Sequence, residues 1–254
     1  MKVIILAAGR GSRLKRHTEE SPKCLVELAG QPLLFWQLAA LAEAGATDAA
    51  VVCGYQSGQI KALADKGPLK FQPLENPDWA STNMLSSLLC AADWAGGEEC
   101  VISYSDIVYP ARHVRALVTN DSPVALTYDH DWEKLWRLRT EGRPLNDAET
   151  FREEGGRLLE IGGKPQSLDQ VRGQYMGLIK LTGDGWRLWL DRCAALGPDV
   201  ARTDMTGFLR LLLADNVFIG AVPVDGAWCE VDTDRDLELY EAALDAGNFS
   251  HDWR

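Results

Sequence analysis

The first half of the chain alternates short, almost continuously apolar segments with segments whose apolar positions repeat at helical spacing. Short apolar runs bounded by glycine or polar residues are typical of strands buried on both faces, and the helical spacing is typical of amphipathic helices. The pattern predicts strands at residues 3–8, 49–53, 69–74, 100–104 and 124–128, and helices at residues 33–44, 59–65, 84–94 and 114–118.

The pattern changes after residue 128. Residues 129–147 are rich in charged and aromatic side chains and are predicted to leave the sheet. Two short strands joined by glycines, at residues 148–152 and 157–161, predict a hairpin. Beyond it we expect strands at residues 175–181, 217–224 and 228–231, and helices at residues 186–195, 206–214 and 235–246.

Strands and helices that alternate along a chain are typical of an α/β fold. We therefore predict a Rossmann-like, doubly wound, mostly parallel mixed sheet with an inserted lobe in the second half. No linker-like segment separates the two halves. Residues 1–254 are accordingly interpreted as one domain.

Composition and charge narrow the class of partner. With 46% hydrophobic and 25% charged residues, the chain has the composition of an ordinary soluble protein, and its net charge of -11 argues against nucleic-acid binding. No apolar run approaches the roughly 20 residues that span a bilayer, and the first apolar run is too short for a signal peptide. The scattered cysteines indicate reduced core residues. We expect a cytoplasmic protein with no nucleic-acid and no membrane partner.

A glycine-rich turn follows the first predicted strand. Gly9 and Gly11 allow the backbone to approach phosphates, and successive N–H groups in such a turn can form an anion-binding nest. A simple tight turn is the alternative. The dinucleotide-binding fingerprint fails because Arg13 replaces the packing glycine, and the Walker pattern fails because no Gly-Lys-Ser/Thr ends the turn. A second cation, Lys23, follows Pro22, which stiffens the approach to it.

These residues resemble the signature of the sugar-nucleotidyltransferase superfamily. The matching segments are Leu6-Ala7-Ala8-Gly9-Arg10-Gly11-Ser12-Arg13-Leu14, Pro22-Lys23 and Gly54-Tyr55. The resemblance implies that residues 6–11 hold the base and phosphates of a nucleoside triphosphate. It also implies that Arg13 and Lys23 stabilise the triphosphate and the charge that develops in the transition state. The predicted nucleotide-binding residues are Leu6, Ala7, Ala8, Gly9, Gly11, Ser12, Arg13, Lys23, Gly54, Tyr55, Asn83 and Ser105.

Two aspartates stand at the ends of predicted strands. Asp106 follows the strand at residues 100–104, and Asp232 follows the strand at residues 228–231. Each has an ordinary alternative as a turn or helix cap, as does Asn83 before the next helix. In the superfamily the matching aspartates bind Mg²⁺, which takes one or two protein carboxylates together with phosphate and water oxygens. The resemblance therefore implies a Mg²⁺ site at Asp106 and Asp232, both of which join Arg13 and Lys23 as catalytic residues.

The second half supplies candidates for binding an acceptor. Lys164, in a Gly-Gly-Lys-Pro segment, and the strand that begins near Tyr175 resemble the superfamily's acceptor region, which implies that Lys164 contacts a phosphate of the acceptor. A surface lysine in a glycine-rich turn is the alternative.

Residues 131–139 combine aromatic and cationic side chains. Trp132 and Trp136 could enclose an ammonium group through cation–π contacts, and Arg137 or Arg139 could hold a carboxylate. The alternative is a helical packing face that carries the tryptophans, with the arginines in water.

The segments at residues 76–84 and 104–106 depart from sugar-specific members of the superfamily. They resemble the cytidylyltransferases that act on phosphocholine, on phosphonates and, in capsule-modification pathways, on phosphoglutamine. This branch implies Mg²⁺-dependent transfer of CMP from CTP to a small phosphorylated acceptor, with release of pyrophosphate. It also implies a nucleotide-binding half at about residues 1–128, and an acceptor- and metal-binding half that contains the inserted lobe at about residues 129–254.

Two rival functions stay open at this point. One is a sugar-1-phosphate nucleotidyltransferase that uses another nucleoside triphosphate, and the other is a non-catalytic nucleotide-sensing subunit. The presence of Arg13, Lys23, Asp106 and Asp232 together argues against the sensor. A homo-oligomer is possible, because the nine tryptophans can serve either a core or an interface.

Overall fold

A computed structural model describes residues 1–14 and 16–254. Its strands are β1 (Lys2–Ala7), β2 (Glu27–Leu28), β3 (Gln31–Pro32), β4 (Asp48–Cys53), β5 (Phe71–Glu75), β6 (Cys100–Tyr104), β7 (Ile107–Val108), β8 (Val124–Asp129), β9 (Phe151–Glu154), β10 (Arg157–Ile161), β11 (Gln174–Leu181), β12 (Ile219–Val224) and β13 (Cys229–Glu230). Its α-helices are α1 (Leu33–Glu43), α2 (Ser57–Lys61), α3 (Met84–Leu89), α4 (Ala92–Ala95), α5 (Ala111–Val118), α6 (Trp132–Arg139), α7 (Gly183–Leu196), α8 (Met205–Ala214) and α9 (Asp234–Asp245).

A nine-stranded sheet forms the centre of the fold, in the order β5-β4-β1-β6-β11-β8-β12-β10-β9. The strands β5, β4, β1 and β6 are parallel neighbours, and β8 and β12 form another parallel pair. Strands β11 and β10 run against their neighbours. The predicted α/β fold with a mostly parallel mixed sheet is confirmed.

The apolar run of β1 is buried on both faces of the sheet. Val3 and Ile5 belong to a core that also contains the apolar faces of α1, α5, α6 and α9. Ile4 and Leu6 face the opposite way, into a core with α3, α7 and α8. Because successive side chains of a strand point to opposite faces, helices on both sides are needed to bury this run. The sheet is therefore doubly wound.

Several boundaries differ from the sequence prediction. The helix expected at residues 84–94 is divided into α3 and α4, with a break at Cys90 and Ala91. The hairpin of β9 and β10 is present, but β9 begins later than predicted. The segment 129–147 does leave the sheet, yet it contains α6, whose apolar face packs into the first core rather than into a lobe of its own.

Two further expectations can be compared with the structure. Cys24, Cys53, Cys100, Cys193 and Cys229 are buried and Cys90 is half-buried, and all six are free thiols, as expected for core residues. Throughout residues 1–14 and 16–254, none of the helices combines the length and apolar character of a transmembrane span.

Candidate active site

The glycine-rich loop begins where β1 ends, at the carboxyl edge of the parallel strands. Ala8 is buried and its carbonyl accepts a hydrogen bond from Tyr55 N at 2.9 Å. Gly11 has φ +70°, and a Cβ at this position would lie 2.8 Å from Lys23 Cβ. Because only glycine avoids both the strained backbone and this overlap, Gly11 lets the Lys23 side chain pass beneath the loop.

The segment that follows is tied back onto the protein. Thr18 Oγ1 donates to the carbonyls of Gly11 and Leu14, at 3.0 and 2.8 Å. Leu14 is fully buried, and Tyr55 Oη donates to the Thr18 carbonyl at 3.1 Å. These contacts fix the conformation of a loop that otherwise lies near the surface.

A tryptophan closes the other side of the loop. A Cβ on Gly54 would lie 2.5 Å from Trp79 Cβ and 2.8 Å from the Ala8 carbonyl oxygen, so the strand end and Trp79 require glycine here. Trp79 packs edge-on against Tyr55 at 5.5 Å between ring centroids, and the Arg10 guanidinium lies over the same tyrosine ring at 5.4 Å. Gly54 and Tyr55 thus adjoin the loop, and their contact with a nucleotide stays a prediction; Trp79 was not anticipated.

The two predicted metal-binding aspartates come together through a small second sheet. Asp106 follows β6, the parallel neighbour of β1. Strand β13 pairs with β7, so that Glu230 faces Ile107, and Val231 N donates to the Asp106 carbonyl at 2.8 Å. This pairing places Asp232 next to Asp106, although the residues are far apart in sequence. Thr233 rather than Asp232 is the N-cap of α9.

Lys23 lies between the two carboxylates. Its Nζ donates to Asp106 Oδ2 at 2.7 Å and to Asp232 Oδ1 at 2.6 Å, and the residue is only 9% exposed. Burial alone would lower the pKa of Lys23, but Asp106 and Asp232 outweigh it and hold the pKa above its ordinary value. Arg13 Nη2 lies 3.1 Å from Asp232 Oδ1, with a side chain that is 66% exposed. The predicted catalytic set is therefore one cluster.

The Asp106 and Asp232 carboxylates have the chemistry of a Mg²⁺ site. Asp106 Oδ1 is buried and has no hydrogen-bond partner among the described residues, so this oxygen is available to a cation. In the part of the chain that the structure describes, no group of three or more histidine, cysteine or carboxylate side chains forms a possible metal site. Mg²⁺ commonly uses one or two carboxylates and takes its other oxygens from phosphates and water. A pair of carboxylates beside a loop suited to phosphates fits this ion.

A cleft of about 320 Å³ opens next to this cluster. Four of the predicted site residues line it, namely Arg13, Asp232, Trp136 and Tyr175. The rest of its lining was not predicted and consists of Met84, Tyr104, Asp147, Glu149, Gln174, Asp204, Met205, Thr206 and Glu230.

Carboxylates dominate the walls of the cleft. Burial and the nearby Asp204 and Asp147 raise the pKa of Glu149. Burial, opposed by Arg139 and reinforced by Asp232 and Asp106, raises the pKa of Glu230 to about 7. Burial is the largest cause of both shifts, and the neighbouring carboxylates add negative charge to it. A cationic group of a ligand would therefore be favoured there.

The unpredicted wall residues come from six separate segments, which only the tertiary structure brings together. Tyr104 and Glu230 carried a usable signal, because each lies on a predicted strand, two residues before Asp106 and Asp232 respectively. Tyr104 packs edge-on against Tyr175 with ring centroids 5.7 Å apart.

The tryptophans of α6 are mostly packing residues. Trp132 and Trp136 are each 4% exposed and belong to the first core. Their rings meet edge-on at 6.0 Å, and the Arg139 guanidinium lies over the Trp136 ring at 5.0 Å. This arrangement corresponds to the packing alternative, except that Trp136 also lines the cleft and Arg139 is buried rather than in water. A role for either tryptophan in acceptor binding stays a prediction.

The remaining acceptor candidates lie outside the lining of the cleft. Arg137 is exposed and pairs with Glu133, with Nε to Oε1 at 2.7 Å. Lys164 Nζ donates to the carbonyls of Leu145 and Asn146, at 2.8 and 3.0 Å, beside a neighbouring cavity. The structure does not bring these two cations to the carboxylate cluster.

Four nucleotide-site candidates have other surroundings. Asn83 precedes α3, but its Nδ2 donates to the Arg202 carbonyl at 3.0 Å instead of capping the helix. Ser12 and Gly9 are exposed on the loop, and Ser105 is half-buried between β6 and Asp106. Their contacts with a nucleotide stay predictions.

The chain is similar to several known nucleotidyltransferases. The chain is 34% identical over 94% of its length to the CTP:phosphoglutamine cytidylyltransferase of Campylobacter jejuni, of which the match covers 98%. The inositol-1-phosphate CTP transferase of T. maritima superposes with a TM-score of 0.73 at 17% identity, over 95% of this chain and 96% of that one. The CTP:phosphocholine cytidylyltransferase of Streptococcus pneumoniae gives 0.69 at 18% identity, over 96% and 98%.

The two solved structures establish the fold alone, because their sequence identity is low. A family model adds the sequence evidence, since the MobA-like NTP transferase domain matches residues 3–165, which include the glycine-rich loop, Lys23 and Asp106. Together with the extended similarity to a curated relative, this match identifies the chain as a member of the MobA-like NTP transferase family.

Proposed function

We propose that this protein is a cytidylyltransferase that transfers CMP from CTP to a small phosphorylated acceptor and releases pyrophosphate. The observation that carries the proposal is the convergence of Arg13 and Lys23 with Asp106 and Asp232 at the end of the glycine-rich loop. Cations suited to a triphosphate lie there beside carboxylates suited to a metal. Similarity to a CTP:phosphoglutamine cytidylyltransferase over 94% of the chain supports CTP as the donor.

The triphosphate would lie along residues 6–13, with the base toward Gly54 and Tyr55. The backbone N–H groups of the loop and the exposed Arg13 side chain offer donors to phosphate oxygens. Two-thirds of the Arg13 side chain is in solvent, where a phosphate can reach it. Lys23 is held beneath the loop by Gly11, so its ammonium approaches the phosphates from the protein side.

Asp106 and Asp232 would hold a Mg²⁺ ion. When bound there, the ion supplies positive charge that neutralises the phosphate oxygens of the donor. The unpartnered Oδ1 of Asp106 supports this assignment. Dependence on Mg²⁺ is thus part of the proposal.

The reaction requires one bond to form and one to break. An oxygen of the acceptor phosphate attacks the α-phosphorus, and the bond to the oxygen that bridges the α- and β-phosphorus breaks, with its electron pair leaving on pyrophosphate. The attacking oxygen is already ionised at neutral pH, so no general base is needed. Arg13 and Lys23 stabilise the charge that develops on the transferring group and on pyrophosphate.

The acceptor is proposed to carry a positive group in addition to its phosphate. Asp147, Glu149 and Asp204 line the cleft beyond the catalytic cluster, where burial and, after it, the charges of Asp204 and Asp147 raise the pKa of Glu149. The rings of Tyr104 and Tyr175 lie in the same wall and suit contact with an ammonium group. This charge pattern favours acceptors that carry an ammonium group, such as phosphocholine, aminoalkyl phosphonates or phosphorylated amino acids, over sugar phosphates without such a group.

A pyrophosphate-release assay tests the proposal. The four ribonucleoside triphosphates and dTTP would each be combined with phosphocholine, 2-aminoethylphosphonate, phosphorylated glutamine and glucose 1-phosphate, with Mg²⁺ present. We expect release with CTP and an amine-bearing acceptor, and none from Asp106→Ala. Release with UTP, GTP or dTTP and glucose 1-phosphate instead would support the sugar-specific rival.

The alternative function, a non-catalytic nucleotide-sensing subunit, predicts a different result in these assays. A protein that binds CTP, as measured by calorimetry, but releases no pyrophosphate with any of the acceptors would favour a regulatory subunit. Full turnover by Asp106→Ala with Mg²⁺ would contradict the proposed role of the carboxylates.

The proposal also includes the domain organisation and the cellular compartment. We propose that residues 1–254 work as one nucleotidyltransferase domain, because the first half supplies Lys23 and Asp106 and the second half supplies Asp232 to a single cluster. We propose the cytoplasm as the compartment, since it supplies the nucleotide.

A further inference from the structure

Arg139 is a buried cation in the midst of the site's carboxylates. It lies near the end of α6, and its side chain is only 5% exposed. Its guanidinium pairs closely with Glu230, contacts Asp236 Oδ1 through Nε at 3.2 Å, and lies 3.5 Å from both Asp147 Oδ2 and Asp232 Oδ2. Each of these charge partners belongs to the protein. An acceptor carboxylate would have to displace one of them.

Two routes connect Arg139 to Asp232. One is direct, from Nη2 to Asp232 Oδ2 at 3.5 Å. The other passes through Asp236, whose Oδ1 meets Arg139 Nε while its Oδ2 accepts hydrogen bonds from Asp232 N at 3.0 Å and Thr233 N at 2.9 Å. The side chain and the backbone of Asp232 are therefore both fixed relative to one guanidinium.

The opposite oxygen of Asp232 faces the catalytic cluster. Oδ1 accepts from Lys23 Nζ at 2.6 Å and lies 3.1 Å from Arg13 Nη2. Asp232 thus has one oxygen toward α6 and one toward the nucleotide loop. Fixing Oδ2 and the backbone also fixes where Oδ1 points.

The planar shape of arginine matters here. Its five donors diverge in a rigid fork, whereas the lysine ammonium is a compact point charge. One ammonium at the end of a flexible stem cannot reach Glu230 and Asp236 from opposite edges of the same group. The stacking of the guanidinium on Trp136, at 5.0 Å, also fixes its plane.

We infer that Arg139 is a positioning residue that orients Asp232, through Asp236 and through direct contact, for binding of the divalent cation. This inference rests on the proposed function, which assigns the cation to Asp106 and Asp232. It replaces the expectation that Arg139 grips a carboxylate of the acceptor. Its consequence is that a change at Arg139 weakens metal binding while leaving affinity for the acceptor intact.

The charge-conserving variant Arg139→Lys tests the inference. Mn²⁺ would serve as the probe, with its affinity measured by electron paramagnetic resonance on the full-length protein in the absence of substrates. Partners that orient a metal ligand typically contribute 10- to 100-fold to affinity, so we expect a loss of roughly that size. The control is Arg192→Lys. Arg192 is a half-buried residue of α7 that pairs with Asp215, and this variant should leave Mn²⁺ affinity unchanged.

Steady-state kinetics separate positioning from acceptor binding. The KM for Mg²⁺ should rise in Arg139→Lys, while the KM for the acceptor stays within about twofold of the wild-type value. Wild-type Mn²⁺ affinity, or a rise confined to the KM for the acceptor, would overturn the inference.

A second variant covers the case in which Arg139→Lys does not fold. Asp236→Asn keeps an acceptor oxygen for capping α9 but removes the charge that pairs with Arg139, and it should weaken Mn²⁺ binding in the same direction. Unchanged affinity in Asp236→Asn would overturn the inference. Asp106→Asn separates failure of this inference from failure of the proposed function. Wild-type Mn²⁺ affinity in that variant would refute the metal site itself.

Discussion

The backbone of Gly11 lies directly over the aliphatic stem of Lys23, so closely that a Cβ on Gly11 would come within 2.8 Å of Lys23 Cβ and 2.9 Å of Lys23 Cδ. The conformation of the glycine-rich loop is therefore set in part by a neighbouring side chain. Loop and lysine form one packed unit.

Substitution of Gly11 should damage the site more than the fold. Gly11→Ala adds the strain of φ +70° and forces Lys23 aside. We expect the KM for CTP to rise about tenfold or more, since displacing one cation from a triphosphate loses on the order of 1.4 kcal/mol or more. Gly156→Ala is the matched control, because Gly156 has φ +78° with nothing within 4 Å. Equal effects of the two variants on KM would contradict this reading of the loop.

Lys23 and the proposed metal ion both use the carboxylates of Asp106 and Asp232, so removal of the Lys23 ammonium should change metal binding. In Lys23→Met the oxygens of Asp106 and Asp232 lose their shared partner. We expect kcat/KM to fall by about 10²- to 10³-fold, which is typical for loss of one donor to transition-state charge. We also expect Mg²⁺ alone to raise the melting temperature of Lys23→Met more than that of the wild type. Lys61→Met, which alters an exposed pair with Glu75, is the control for both measurements.

Part of this site can be predicted from the sequence, because the glycine-rich loop and Asp106 each follow a strand whose apolar run is easily recognised, and parallel strands bring their carboxyl ends to one edge. The roles of Lys23 and of the Asp106–Asp232 pair came from the family resemblance instead. Arg139 and the acidic wall could not be predicted in the same way. Whether Arg139 faces solvent or carboxylates depends on how α6 packs against α9, and periodicity alone contains no information about that packing.

The fold, too, has parts that local patterns predict and parts that they do not. The apolar runs of β1 and β4 are buried on both faces and are predictable from the local order of apolar residues. The insertion of β11 between β6 and β8 is a long-range pairing that no local pattern encodes. Residues 129–147 look like an excursion because their charged residues obscure the apolar face of a short helix.

A buried aspartate ties the end of the chain to the sheet. Asp129 is fully buried at the end of β8, and its carboxylate accepts hydrogen bonds from Gly226 N, Trp228 Nε1 and His251 Nε2, each at 2.9 Å. Burial would raise the pKa of Asp129, but these donors, led by His251, hold it below the ordinary value.

Asp129→Asn should destabilise the protein at neutral pH by about 3–5 kcal/mol, as expected when one partner of a buried pair is removed. Because the folded pKa is depressed, the pH-dependent part of this contribution is fully present above the unfolded pKa of about 4 and is lost as the pH falls from there through the lower folded pKa. Urea denaturation at pH 7 and at pH 3.5 measures the difference. Asp225→Asn breaks an exposed aspartate–histidine pair with His130 and should cost less than about 1 kcal/mol.

His113 should make the fold sensitive to mild acid. It is buried in α5, where burial, reinforced by Arg112, lowers its pKa from 6.5 to about 4. Between pH 6.5 and pH 4 this histidine binds a proton in the unfolded chain but not in the folded chain. The free energy of unfolding therefore falls as the pH drops from 6.5 toward 4.

The loss should reach roughly 3 kcal/mol near pH 4, since each pKa unit corresponds to about 1.4 kcal/mol. His113→Phe should therefore lose less stability than the wild type between pH 7 and pH 4.5, when free energies of unfolding are compared. His130→Asn, at an exposed histidine, should retain the wild-type slope. A slope in His113→Phe that equals the wild-type slope would show that His113 is not the responsible group.

The order of strands has a consequence for synthesis on the ribosome. Strands β1, β4, β5 and β6 are complete once Tyr104 has been made, and they can pair with one another at once. The partner for the free edge of β6 is β11, which begins only at Gln174. An emerging chain therefore carries an open, apolar strand edge through the translation of the whole intervening segment, and such edges readily pair with other chains. Slow codons within this interval should therefore promote aggregation.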